Sequence, residues 1–401
     1  MNSLDQKKRI IYFSLAAIIL LAGGYLVWRT FFGSSAPVQP TGQPPITGSV
    51  PGFPQTPGGA ISPTPDGNGS PPPTPVTALP PEAQKLLRLT DYSVIGPALN
   101  PDQTKILFYK KEGGGLYAAD FDAKNINKLA PITVVGLLDA TWSLSGDRSA
   151  VQYLDQDTIK SFLHIGTSTV AVLPPDTASP TWSPDRKSLA YLITKDGITN
   201  LVIADASGKN PRTVFSNRLA DASITWITSD KISFTTAPSG RAAGFVFVYS
   251  RGSGSFNQVL GPRFGLTARW SPDGSKILAS FTDTTGHNLQ LALFDAAGNE
   301  LQRLPLITLP DKCAWSSDSQ ELYCAVPRKT SGDTIWPDDY LRGELASSDR
   351  IVDINPATGD IAPILDEETL SISNIFTTKD KTLLFFINRT DGTLWRYKLK
   401  E

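Results

Sequence analysis

Six aspartates recur at one phase of the chain: Asp102, Asp185, Asp230, Asp273, Asp318 and Asp380. A ring of carboxylates at equivalent positions is oxygen-rich chemistry of the kind that holds a hard cation. Each of them, however, lies in a short turn rich in Ser, Pro, Asp and Gly, where an aspartate bonds backbone two residues on. Local capping accounts for a carboxylate in nearly every copy, and no metal is expected. The chain has two histidines and two cysteines. His164 falls in an apolar strand and His287 in the loop DTTGHN, and neither has a partner in sequence. No nucleophile, base and orienting group can be assembled from these residues, so no catalytic residue and no cofactor are nominated. Cys313 and Cys324 flank a turn centred between Asp318 and Ser319 and would face one another across a hairpin. Outside the cytoplasm that arrangement predicts a disulfide, with a pair of buried free thiols as the alternative. The ring it closes is short, so its contribution is about 3 kcal/mol or less.

One segment departs from its surroundings. PRKTSGDTIWPDDYLRGELASS, the 22 residues from Pro327 to Ser348, contains the roughly 16 by which its unit exceeds the others, and holds Trp336, Asp338, Asp339, Tyr340, Arg342 and Glu344. An aromatic pair with both charge signs on a loop suits recognition of protein or glycan, and Trp336, Asp338, Asp339, Tyr340 and Arg342 form the candidate binding set. The alternative is that Trp336 folds inward and plugs a channel.

The elements that position these residues come from a repeat. An aromatic or apolar residue, a tight turn and an apolar strand recur seven times, most completely in RWSPDGSKILASF from Arg269 to Phe281. The anchors Leu99, Trp142, Trp182, Trp226, Trp270, Trp315 and Phe376 are spaced by 43, 40, 44, 44, 45 and 61 residues. That spacing is close to one four-stranded propeller unit. Five of the eight tryptophans occupy the anchor, where a large ring fills the gap between neighbouring sheets. The last copy supplies only three strands before the chain ends, leaving an edge that invites aggregation. KLLRLT, Lys85 to Thr90, is a strand-like segment positioned to complete it. The expected fold is therefore all-β: a seven-bladed β-propeller whose N-terminal strand closes the last blade.

These residues resemble the WSPDG-type repeats of TolB-like propellers, relatives of WD-repeat folds, over about Lys85 to Glu401. The resemblance implies a binding platform; substrate-gating propellers also occur in some peptidases. No G-x-S-x-G elbow is present to support a hydrolase domain.

Ahead of the repeat, Ile10 to Trp28 is an uncharged run of 19 residues, enough to cross a bilayer as a single transmembrane helix. Lys7, Lys8 and Arg9 precede it and Arg29 alone follows, which places the N-terminus in the cytoplasm and the rest outside. A cleaved signal peptide ending near Ser34, Ser35 and Ala36 is the competing reading. Of the 32 prolines, 15 lie between Pro37 and Pro81, the mark of a disordered, semi-extended tether. The expected organisation is a cytoplasmic tail (1–9), a transmembrane helix (10–28), a Pro/Gly-rich linker (29–81) and the propeller (82–401). A formal charge of -1 excludes nucleic acid as a main partner. The leading expectation is a membrane-anchored, non-catalytic scaffold binding another envelope protein or a cell-wall glycan. The alternative is a propeller hydrolase or lyase using carboxylates at the channel mouth.

Overall fold

The computed structural model describes residues 85–345, 347–367 and 369–400. The expected tail, span and tether lie outside the described residues; among those described, no helix is long and apolar enough to cross a membrane. The fold is all-β and propeller-like, with antiparallel sheets each formed from strands consecutive in sequence, apart from the one that closes the chain. The first sheet runs Val94–Leu99, Lys105–Lys110, Leu116–Asp120 and Ile126–Lys128. The second runs Leu137–Trp142, Arg148–Asp155, Thr158–Ile165 and Thr169–Val172, and the third begins at Thr177–Trp182. In each, an anchor residue ends the innermost strand and the turn after it begins the hairpin.

Where seven separate sheets are expected, six form among the described residues, one of them with seven strands. The cause is the strand Phe256–Trp270. Its first part pairs outward, with Phe256 opposite Tyr249, and its last part pairs with the next hairpin, with Trp270 opposite Ile277. Gly261-Pro262 reads as a break, yet pairing resumes beyond it: Gly244 meets Arg263 and Ala243 meets Phe264 across a register shift. Proline removes one ladder donor, and a bulge absorbs the loss. An outer strand thus continues directly into the next inner strand.

Seven apolar clusters sit between successive sets of strands. Trp182 packs between Ala150 and Leu163 on one side and Leu189 on the other, and its indole N–H donates to the Thr141 carbonyl at 2.9 Å. Trp142 does the same toward Gly96 at 2.7 Å. The last cluster joins Phe385, Ile387 and Leu394 near the C-terminus to Leu89, Val94, Ile106 and Phe108 near the start of the first sheet.

The segment expected to complete the last sheet does so. Leu86–Arg88 pairs antiparallel with Thr393–Lys398, Leu86 opposite Tyr397 and Leu87 opposite Arg396. The Leu394 carbonyl accepts from Leu89 N at 2.8 Å, and Leu394 N donates to Thr90 Oγ1 at 3.0 Å. Both groups are buried, so an unpartnered amide there is costly. We expect Thr90→Val to lower unfolding free energy by about 1–3 kcal/mol in denaturant titration; a wild-type midpoint would show that the closure does not depend on this bond.

His164 adds a pH dependence. Its Nδ1 lies 2.7 Å from Tyr109 Oη, which also bonds Ser149 Oγ at 2.8 Å, while Nε2 is buried without a partner among the described residues. Burial pushes the imidazole below its ordinary value. The folded state therefore binds fewer protons than the unfolded one, and stability falls as pH drops through roughly 6.5, by at most about 1.4 kcal/mol per pH unit from this group. His164→Gln should remove that component; a stability difference between the two proteins that stays constant from pH 7 to 5 would contradict it.

Candidate functional site

The turn aspartates are used by the turns. Ser183 Oγ donates to Asp185 at 2.5 Å, Ser271 Oγ to Asp273 at 2.6 Å and Ser316 Oγ to Asp318 at 2.6 Å. The Asp185 carboxyl is held below its ordinary value by Ser183 and the Lys187 backbone. Asp230 instead accepts Gly252 N from a neighbouring turn at 2.7 Å. Among the described residues no group of three or more His, Cys, Asp or Glu is arranged to hold a metal ion.

The long segment between Leu322–Pro327 and Asp349–Ile354 folds back over its neighbours instead of presenting its aromatics to solvent. Trp336 and Tyr340 are buried, in a cluster with Leu289 and Leu309. Trp336 N donates to the Gly286 carbonyl at 2.8 Å, and Asp338 accepts Gly240 N at 2.6 Å. Gly240 is required there, because a Cβ would lie 2.4 Å from the Trp336 carbonyl oxygen. Asp339 accepts Ile335 N at 2.7 Å, and Arg342 pairs with Asp339 and Glu344. On the other side Arg389 stacks 4.0 Å from the Tyr340 ring centre and donates to its carbonyl. Burial and the opposing Arg389 charge leave the Tyr340 hydroxyl at about 12. Beneath it Lys312 and Asp349, both fully buried, pair at 2.7 Å, and Asp349 also accepts Ile372 N at 2.6 Å. Of the expected binding set, Trp336, Asp338, Asp339 and Tyr340 are thus engaged with the fold, while Arg342 is about half exposed and pairs within the segment.

Strand alternation puts this segment and the links between repeats on one face, and the anchor turns on the other. At the anchor face the axial channel opens as a cavity of about 430 Å3 lined by Trp142, Trp182, Trp226, Trp270, Trp315 and Phe376. One residue deeper the wall carries Thr141, Thr181, Thr225, Arg269, Ala314 and Ile375. Arg269 is the one charged side chain among these. Its Nη1 donates to the Cys313 carbonyl at 2.5 Å. The side chain is open to the channel yet enclosed by the ring, and that enclosure lowers its pKa, against the opposing pull of Asp311. Asp311 and Asp139, which are not among the cavity-lining residues, both have carboxyls pushed up by desolvation, with Arg269 opposing the rise at Asp311. The signal for this site is present in the repeat: TW, TW and TW at 141, 181 and 225 are followed by RW at 269.

Cys313 and Cys324 are joined in a disulfide, directly opposite in the hairpin, with Cα atoms 4.0 Å apart. The link therefore stiffens the strand whose carbonyl holds Arg269. Reduction, or Cys313→Ala with Cys324→Ala, should cost up to about 3 kcal/mol of stability in guanidinium titration; equal midpoints with and without reductant would refute that role.

A family model described as TolB beta propeller domain matches residues 102–332, more than half of the chain. Among solved structures, an oligogalacturonate lyase in complex with manganese aligns with a TM-score of 0.58 at 13% identity, covering 79% of this chain and 93% of that one. An oligogalacturonate lyase from Vibrio parahaemolyticus gives 0.57 at 11%, covering 79% and 94%. A TolB described as putative, from Agrobacterium tumefaciens, gives 0.41 at 16%, covering 55% and 87%. At these identities the likeness concerns the fold alone. No curated protein sequence matches.

Proposed function

The chain belongs to the TolB beta propeller domain family, and from that premise we propose that it is a membrane-anchored binding scaffold. In this reading residues 10–28 span the membrane, 29–81 tether, and a seven-bladed propeller stands outside the cytoplasm to engage an envelope protein or a cell-wall glycan. Seven anchors and seven clusters between sets of strands support the blade count, the shared strand Phe256–Trp270 belonging to two blades. The observation that carries the binding reading is the aromatic mouth. Six rings line one opening of a cavity whose volume falls within the usual range for ligand pockets. Large rings of this kind supply contact area at low entropic cost, and an arginine beside them is typical of the residues that dominate binding energy.

The catalytic alternative has one observation in its favour. Asp139 and Asp311 carry carboxyls raised by enclosure, as a general acid requires. Acid–base work on a substrate at the mouth would then fail in Asp139→Asn and Asp311→Asn with binding retained.

The binding reading is tested by photo-crosslinking in membranes. A benzophenone residue replacing Leu144, which is 67% exposed at the mouth, should capture a partner that the same residue at Leu301, 52% exposed on an outer strand, does not. Trp270→Ala should reduce that capture at least fivefold. Equal capture from both positions, or none from Leu144, would overturn the proposal.

A further inference from the structure

The mouth contains one feature that the repeat does not explain. At the level beneath the rings, three of the repeats place threonine, and the strand Phe256–Trp270 places Arg269. A guanidinium has five donors in a planar fork, and the protein acceptor that this one meets is the Cys313 carbonyl, on Nη1. Among the described residues no carboxylate closes to ion-pair distance of it, although Asp311 acts on it through space. An exposed guanidinium at a cavity wall, with one protein acceptor and no carboxylate in contact, has donors left to bind an anion.

We propose that Arg269 is the recognition residue of this mouth and takes the carboxylate of a ligand seated among the tryptophans. The inference rests on the mouth being the binding surface and goes further by naming the chemical class it reads. Carboxylate is preferred over a dianionic phosphate for two reasons. The fork matches a planar carboxylate through two parallel N–H···O bonds. Arg269 is the one charged side chain lining the cavity, so a single cation there matches a single negative charge. Thr141, Thr181 and Thr225 surround the position with hydroxyls able to donate to the same group. The carboxylate can belong to a small aromatic acid or to the C-terminus of a peptide entering along the axis, and both present the same group.

The full-length chain, reconstituted in nanodiscs, is titrated by tryptophan fluorescence with two matched pairs of probes. These are 3-phenylpropionate against its amide, and acetyl-Gly-Gly-Phe against its C-terminal amide. Each acid should bind about tenfold or more tightly than its amide, the size of a charge-assisted bond. Arg269→Thr, which installs the residue of three other repeats, should erase that preference, and Arg269→Lys should retain part of it. Circular dichroism and the thermal midpoint identify a variant that has failed to fold. The tighter of the two acids identifies the source of the carboxylate. Equal binding of acids and amides, or a preference that survives Arg269→Thr, overturns the carboxylate assignment and leaves the mouth as a binding surface. If no probe binds or competes with the crosslink from Leu144, the assignment fails as well; the crosslink itself then reports separately whether the mouth binds anything.

Discussion

The structure depends on one backbone junction. Leu394 has its carbonyl claimed by Leu89 and its amide by Thr90, and through them the beginning of the repeat region becomes the outer strand of its final sheet. Each set of strands buries its faces against two neighbours, so a ring with one open seam exposes apolar surface at that seam and a free strand edge besides. Closure converts a row of separately marginal sheets into a single cooperative body. It also fixes the axis, because a channel has a defined bore only when its wall is complete. The same residues that seal the last sheet therefore set the dimensions of the mouth.

The two faces of the ring are unlike. On the face that carries the links between repeats, the long segment around Trp336 lies down across neighbouring loops, anchored by Asp338 on Gly240, Trp336 on Gly286 and Arg389 on Tyr340. Two large rings and a short hydrogen-bonded turn bury more favourably than they hydrate, and the Lys312–Asp349 pair beneath leaves no uncompensated charge to resist it. The anchor face has no such cover among the described residues, and there the tryptophan edges and Arg269 meet the cavity.

The tryptophans serve two ends at once. Their bodies fill the wedge between adjacent sheets, leaving Trp182, Trp226 and Trp315 buried, and they also line the mouth, so the residues that stabilise the ring also form its rim. Ring stability constrains these positions strongly, which leaves the level beneath them as the place where an individual side chain can vary without opening a seam. Arg269 occupies that level, held by a carbonyl from a hairpin that a disulfide staples.

Local chemistry in the chain was sufficient to establish the all-β repeat, its phase, the turn caps at Asp185, Asp273 and Asp318, the pairing of Leu86 and Leu87 with the last strand, and the facing of Cys313 and Cys324. Each follows from turn propensity, strand alternation or short-range spacing, which act over a few residues and leave a signature there. The continuous strand through Gly261-Pro262 was not legible, because whether pairing resumes beyond a proline depends on what the partner strand offers, and Ala243 and Gly244 lie far off in sequence. The inward turn of Trp336 and Tyr340 was likewise decided by tertiary contacts, since the same aromatic and charged composition serves an exposed loop equally well. Arg269 stood in plain view as the departure from a threonine-tryptophan pattern, but its meaning arose only when the inner strands converged and brought Thr141, Thr181, Thr225 and Arg269 to one cavity. Sequence determines which residues alternate; only the closed ring determines which of them share a cavity, because that cavity is a property of the whole circumference and of no single repeat.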